Sequence, residues 1–98
     1  MTTRVTIKQL ERKIALLNEI TGNPDKPWRK EVNENGVIHR ANIGNYHLSG
    51  AYGGYKVERM EAMNGSTSDI LNTGFTTKRE LLNAISYFIE GIRLDKRA

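Results

Sequence analysis

The sequence predicts an α+β fold: a small antiparallel sheet flanked by an N-terminal and a C-terminal helix, in the order α-β-β-β(-β)-α. Three observations predict it. Apolar residues recur at three- and four-residue spacing near both ends, which is helical periodicity. Clusters of Gly and Asn cut the middle into short segments of strand length. The chain has 98 residues, enough for one domain, 1–98, with a modest core.

The first helix opens at Thr6, whose spacing to Gln9 is that of a capping box, each side chain meeting an orphan backbone donor. Ile7, Leu10, Ile14 and Leu17 then share one face, with Leu16 and Ile20 on its flank. Gly22 and Pro24 stop it. The stripe suits packing on the chain's own sheet or pairing at a dimer seam.

Trp28–Val32 and Val37–Ala41 read as strands joined by Asn33-Glu34-Asn35-Gly36, because Asn-Gly tolerates the left-handed turn of a hairpin. Tyr46–Leu48 and Tyr55–Met60 are the next strands, with Ser49–Gly54 as a turn or bulge. Asn64–Ser68 reads as a turn and Asp69–Asn72 as a last short strand. The closing helix has Thr77 and Glu80 as a second capping box. Leu81, Ile85, Phe88 and Ile92 share a face, widened by Leu82 and Ile89. Arg93, Lys96 and Arg97 stand near its end, where cations suit the helix dipole, and Gly91 weakens its last turn.

Composition narrows the function classes. Hydrophobic residues make up 38% and charged residues 27%, the balance of a folded soluble chain. No apolar run approaches the roughly 20 residues of a membrane span, and Met1–Thr6 lacks the apolar stretch of a secretory signal. With no cysteine, thiolate and disulfide chemistry is excluded and a reducing cytoplasm is the expected location. The net charge of +4 favours an anionic partner, nucleic acid included.

Catalysis has little support. His39 and His47 lack the acidic neighbours of a metal site, and Ser49 and Ser86 lack a nucleophile motif. Gly50–Gly54 is not a phosphate loop, since no Gly-Lys-Ser/Thr follows. No enzyme activity, cofactor or metal is expected. Binding has more. Three of the four tyrosines and four of the nine glycines fall between Gly44 and Arg59. Tyrosine offers a flat face for a base, and arginine and lysine hold phosphate. The candidate ligand residues follow from that pairing. Tyr46, Tyr52 and Tyr55 stack on or border the base, and Gly53 and Gly54 allow close backbone approach. Asn45 and His47 supply hydrogen bonds, and Arg59, Lys78 and Arg79 hold phosphates. The competing view packs the tyrosines in the core and leaves the charges to solvent. The wide apolar faces of the two helices also lead to an expected homo-oligomer.

The helix–sheet–helix order resembles a double-stranded-RNA-binding domain in element order alone. Thr77-Lys78-Arg79-Glu80 stands where such domains carry a lysine-rich cluster, and their histidine-containing loop is missing. A second resemblance covers most of the chain. Leu17-Asn18, Thr21-Gly22-Asn23-Pro24, the run Gly44-Asn45-Tyr46-His47-Leu48-Ser49-Gly50-Ala51-Tyr52-Gly53-Gly54 and Lys78-Arg79-Glu80-Leu81 are similar to a group of small phage and prophage proteins. That resemblance implies a phage-encoded, host-directed factor acting in the host cytoplasm. One such class comprises anti-defence sponges, which sequester a nucleotide immune signal of cyclic oligonucleotide or cyclic ADP-ribose type without cleaving it. The alternative is a phage regulator that binds nucleic acid or a host protein through a basic surface.

Overall fold

The computed structural model describes residues 4–97, with side chains through Asp95. The expectations placed on Met1–Thr3 and on the Lys96 and Arg97 side chains lie outside the described residues. The element order is α1 (Ile7–Thr21), β1 (Trp28–Asn33), β2 (Gly36–Ala41), β3 (Tyr46–Ala51), β4 (Gly54–Met60), β5 (Thr67–Asp69) and α2 (Lys78–Arg97). The predicted α+β class and both flanking helices are present. Among the described residues no helix is long and apolar enough to cross a membrane.

The strands form two antiparallel sheets where the sequence suggests one: β1-β2 alone, and β3-β4-β5. Both helices lie on one face of the three-stranded sheet. Leu10, Ile14 and Leu17 of α1 meet Leu81, Ile85 and Ile89 of α2 over Tyr46 and Val57 in one buried cluster. The two helical stripes therefore cover each other as well as the sheet. The predicted stripes shift at both helices. Ile7 is exposed while Asn18 is buried, and the α2 stripe centres on Ile89 with Phe88 and Ile92 at its flanks.

The α1 capping box forms as predicted, and Gly22 closes the helix at φ 71. At α2, Thr77 Oγ1 accepts the Glu80 N–H at 3.2 Å, and the Glu80 carboxylate accepts the Thr76 hydroxyl.

The β1-β2 hairpin projects from this body. Val32 and Val37 near its turn are exposed, and it lengthens the molecule to 56 × 38 × 21 Å. The radius of gyration is 15.0 Å, against about 13 Å for a compact domain of this length. The turn sits one residue earlier than Asn-Gly would place it, on Glu34-Asn35, with Asn33 Oδ1 accepting the Asn35 N–H at 2.9 Å. On one face Glu31 bridges Arg29 at 3.1 Å and Arg40 at 2.7 Å.

Two strand assignments are corrected. β3 runs on to Ala51, and only Tyr52-Gly53 turns. The last strand is Thr67–Asp69, and not Asp69–Asn72. The chain leaves the sheet at Asp69, whose Oδ2 accepts the Gly74 N–H at 2.7 Å while Asn72 takes φ 55.

Candidate functional site

The predicted ligand residues divide between the two ends of the three-stranded sheet. At one end is the β3-β4 turn. Tyr52 and Gly53 have φ 52 and φ 74. Positive φ at both central residues matches the strand twist, and the turn favours Asn-Gly for that reason. Here a tyrosine holds the first position. Its side chain is 96% exposed, with its ring edge-on to Phe75 at 5.5 Å between centroids. The Lys56 ammonium lies 4.5 Å from the centroid of the Phe75 ring, within cation–π range.

Phe75 is brought there by an isolated bridge. Tyr55 and Thr76 exchange two backbone hydrogen bonds, both 2.8 Å. Gly54 makes room for that strap, since a Cβ on it would lie 3.0 Å from the Phe75 carbonyl carbon and 3.1 Å from Thr76 N and O. The two glycines thus act differently: Gly53 supplies a backbone conformation and Gly54 supplies space. Lys78 and Arg79 follow Thr76 after one intervening residue, Thr77, and open α2 at this same end. Tyr55 is on the helix side and packs against the core. Its ring lies across Gly50, whose added Cβ would stand 3.3 Å from Tyr55 Cε1.

At the other end are Asn45, Tyr46, His47 and Arg59. Arg59 is four residues from Tyr55 along β4, about 13 Å at strand rise. Asn45 is fully buried. Its Nδ2 donates to the Pro24 carbonyl at 2.8 Å, and its carbonyl accepts the Met60 N–H at 2.9 Å. Tyr46 is in the core with its ring edge-on to Phe88 at 6.4 Å. Arg59 pairs with Glu61 at 2.8 Å. These side chains position the 22–24 and 42–45 loops. A groove of about 250 Å³ beside Tyr46 and His47 is also lined by Glu11 and Asp25, and those two carboxylates oppose an anion there.

Between the two ends, on the sheet face away from the helices, Glu58 collects several polar partners. Thr67 Oγ1 donates to it at 2.9 Å, and His47 Nε2 and Lys56 Nζ each lie 3.7 Å from its carboxylate oxygens. Burial alone would raise the Glu58 carboxyl. Hydrogen bonds from Thr67 and Ser49 and the charges of Lys56 and His47 outweigh burial and hold it below the ordinary carboxylate range. Burial pushes the His47 imidazole below its ordinary value, and Glu58 offsets this only in part. His47 is a structural partner of Glu58 on this face.

The structure thus brings Tyr52, Gly53, Gly54, Lys78 and Arg79 to one end and leaves Asn45, Tyr46, His47 and Arg59 at the other. Sequence reasoning missed Phe75 and Lys56. Lys56 had a signal, standing beside Tyr55 in the tyrosine segment. Phe75 had none, because its place at the turn depends on a bridge formed across 21 positions of sequence. No family model matches the chain, and neither a curated protein nor a solved structure does.

Proposed function

We propose that the protein is a non-catalytic binding module that takes up a small phosphate-bearing nucleotide at the β3-β4 turn. One observation carries this reading: Tyr52 is held at φ 52 with its ring almost wholly exposed. A left-handed conformation costs a residue with a side chain about 1–2 kcal/mol, and asparagine at this position would relieve most of it. The tyrosine therefore does not serve the turn. Strain of this kind points to a site.

In this reading the base stacks on Tyr52 beside Phe75. Lys78 and Arg79 meet the phosphates, and Lys56 adds positive charge behind the aromatic pair. The ligand is bound and not cleaved. The resemblance to small phage proteins gives the proposal its setting, sequestration of a cyclic oligonucleotide or cyclic ADP-ribose signal in the host cytoplasm.

The test is thermal unfolding of the free protein against a panel of mononucleotides and cyclic dinucleotides. A ligand that binds only the folded state raises the melting temperature with its concentration. Heating the complex should return the nucleotide intact. A cleaved product would instead make the protein an enzyme, and no shift across the panel would remove the reading.

A further inference from the structure

The β3-β4 register shows which backbone groups of β3 face away from β4. Ala51 and Gly54 close a two-residue turn, so they form a hydrogen-bonded pair, and the pattern alternates from there. Gly50–Tyr55, Leu48–Val57 and Tyr46–Arg59 are the non-bonded pairs, whose N–H and C=O groups point out of the ladder. Tyr55 confirms the alternation by bonding outward to Thr76. Tyr46 confirms it on the other side, because Asn18 of α1 takes both its outward groups, at 2.8 and 2.9 Å. The next outward groups on that edge, those of Leu48 and Gly50, meet no partner among the described residues. They are two residues apart, about 7 Å, which is the repeat of an extended peptide.

The groove of about 250 Å³ continues this edge. Tyr46, His47 and Leu48 all line it. Successive strand residues point to opposite faces, so a groove that touches three in a row runs along the edge and not across a face. It is smaller than the roughly 300–1,000 Å³ of a small-molecule pocket. Ile14 and Ala15 add apolar wall, and Glu11 and Asp25 add two carboxylates. Neither carboxylate makes an ion pair among the described residues. On a chain of net charge +4 this is an acidic spot beside an open strand edge.

We propose that the β3 edge takes up an extended, basic peptide segment of a partner protein. The segment adds a strand to the sheet through Leu48 and Gly50, and one of its lysines or arginines enters the groove at Glu11 and Asp25. Main-chain bonds give such strand addition its affinity, and the side-chain pocket gives it its preference. A second copy of this chain fits less well. A two-fold would set Leu48 opposite Gly50 of the other copy, and the segment Tyr46–Ala51 carries no lysine or arginine for the groove. This site is distinct from the β3-β4 turn and does not depend on a nucleotide binding there.

The experiment uses the full chain and fluorescein-labelled capped hexapeptides of alternating valine and threonine, with one residue replaced in turn by lysine or by glutamate. The best lysine peptide should bind at least tenfold more tightly than its glutamate counterpart, and the Leu48 and Gly50 amide resonances should move and slow in hydrogen exchange. Gly50→Pro removes an outward N–H at an edge that tolerates proline, and should weaken binding at least tenfold where Gly50→Ala does not. Glu11→Gln with Asp25→Asn should erase the preference for lysine over glutamate. Should Gly50→Pro fail to fold, N-methylation of the peptide backbone tests the same bonds against the unaltered protein and should abolish binding. The proposal is overturned if no peptide in the set binds, or if lysine and glutamate peptides bind alike to the unaltered protein. It is equally overturned if sedimentation finds a dimer that Gly50→Pro dissolves, which would give the edge to a second copy.

Discussion

The side-chain amide of Asn18 grips both backbone groups of Tyr46. Its Oδ1 accepts the Tyr46 N–H at 2.8 Å and its Nδ2 donates to the Tyr46 carbonyl at 2.9 Å. An amide side chain has the donor and acceptor of a peptide bond, so α1 supplies one residue's worth of strand partner to β3. This contact fixes the helix against the sheet, ends the open part of the β3 edge at Leu48, and is fully internal.

Asn18→Leu should therefore cost about 2–6 kcal/mol, since two buried backbone groups lose their partner at about 1–3 kcal/mol each. Asn18→Asp keeps the acceptor but sets a carboxylate against the Tyr46 carbonyl. It should be the more damaging of the two at neutral pH and should partly recover in acid. Urea unfolding of the three proteins at pH 7 and pH 5 measures both effects.

The glycine pair should separate by mechanism. Gly53→Ala puts a side chain on a residue at φ 74 with nothing within 4 Å of its Cβ, so it should cost only the backbone strain, about 1–2 kcal/mol. Gly54→Ala drives a Cβ to 3.0 Å from the Phe75 backbone. It should also break the Tyr55–Thr76 bridge, which exchange protection of the Tyr55 and Thr76 amides reports directly. Intact protection in Gly54→Ala would show that the strap yields.

Acid should destabilise the fold in two steps. The folded-state value of His47 is depressed below its ordinary 6.5, so its contribution is complete above that pH and is lost as pH falls below it. Glu58 is depressed below its ordinary 4.5, so its contribution is present above that value and is lost beneath it. Glu31 and Glu61 are held low by their hydrogen bonds to arginine and serine, and add to the second step. Melting temperature against pH should flatten between pH 7 and pH 5 in His47→Gln, and below pH 4.5 in Glu58→Gln. A profile unchanged by His47→Gln would mean that the imidazole titrates normally.

Much of the fold was legible because both helices carry their caps and stripes in the sequence. The Thr6–Gln9 box and Leu10, Ile14 and Leu17 are local signals, and the structure keeps them. The β3-β4 turn was misplaced because its residues break the turn rule: Tyr52 is a poor left-handed residue, and Ser49, Gly50 and Ala51 are weak strand formers. β5 was misplaced because the Asp69 side chain, and not a turn dipeptide, ends it. The candidate site was half legible. Neighbours in sequence along a strand are spread over its length, so Tyr46 and Arg59 landed far from Tyr52. Phe75, and the edge left open between Asn18 and the turn, depend on contacts between distant segments that no local pattern encodes.

The most direct test of the account is nucleotide affinity and stability measured side by side for Tyr52→Asn. Relief of the left-handed strain offsets the lost edge contact with Phe75, about 0.5–1.5 kcal/mol, so the melting temperature of the free protein should hold or rise. Loss of a stacking face worth about 1–3 kcal/mol per base should weaken binding of the nucleotide found in the panel by about fivefold to more than a hundredfold. A Tyr52→Asn protein that binds that nucleotide as tightly as the original would contradict the claim that the strained tyrosine is there for a ligand.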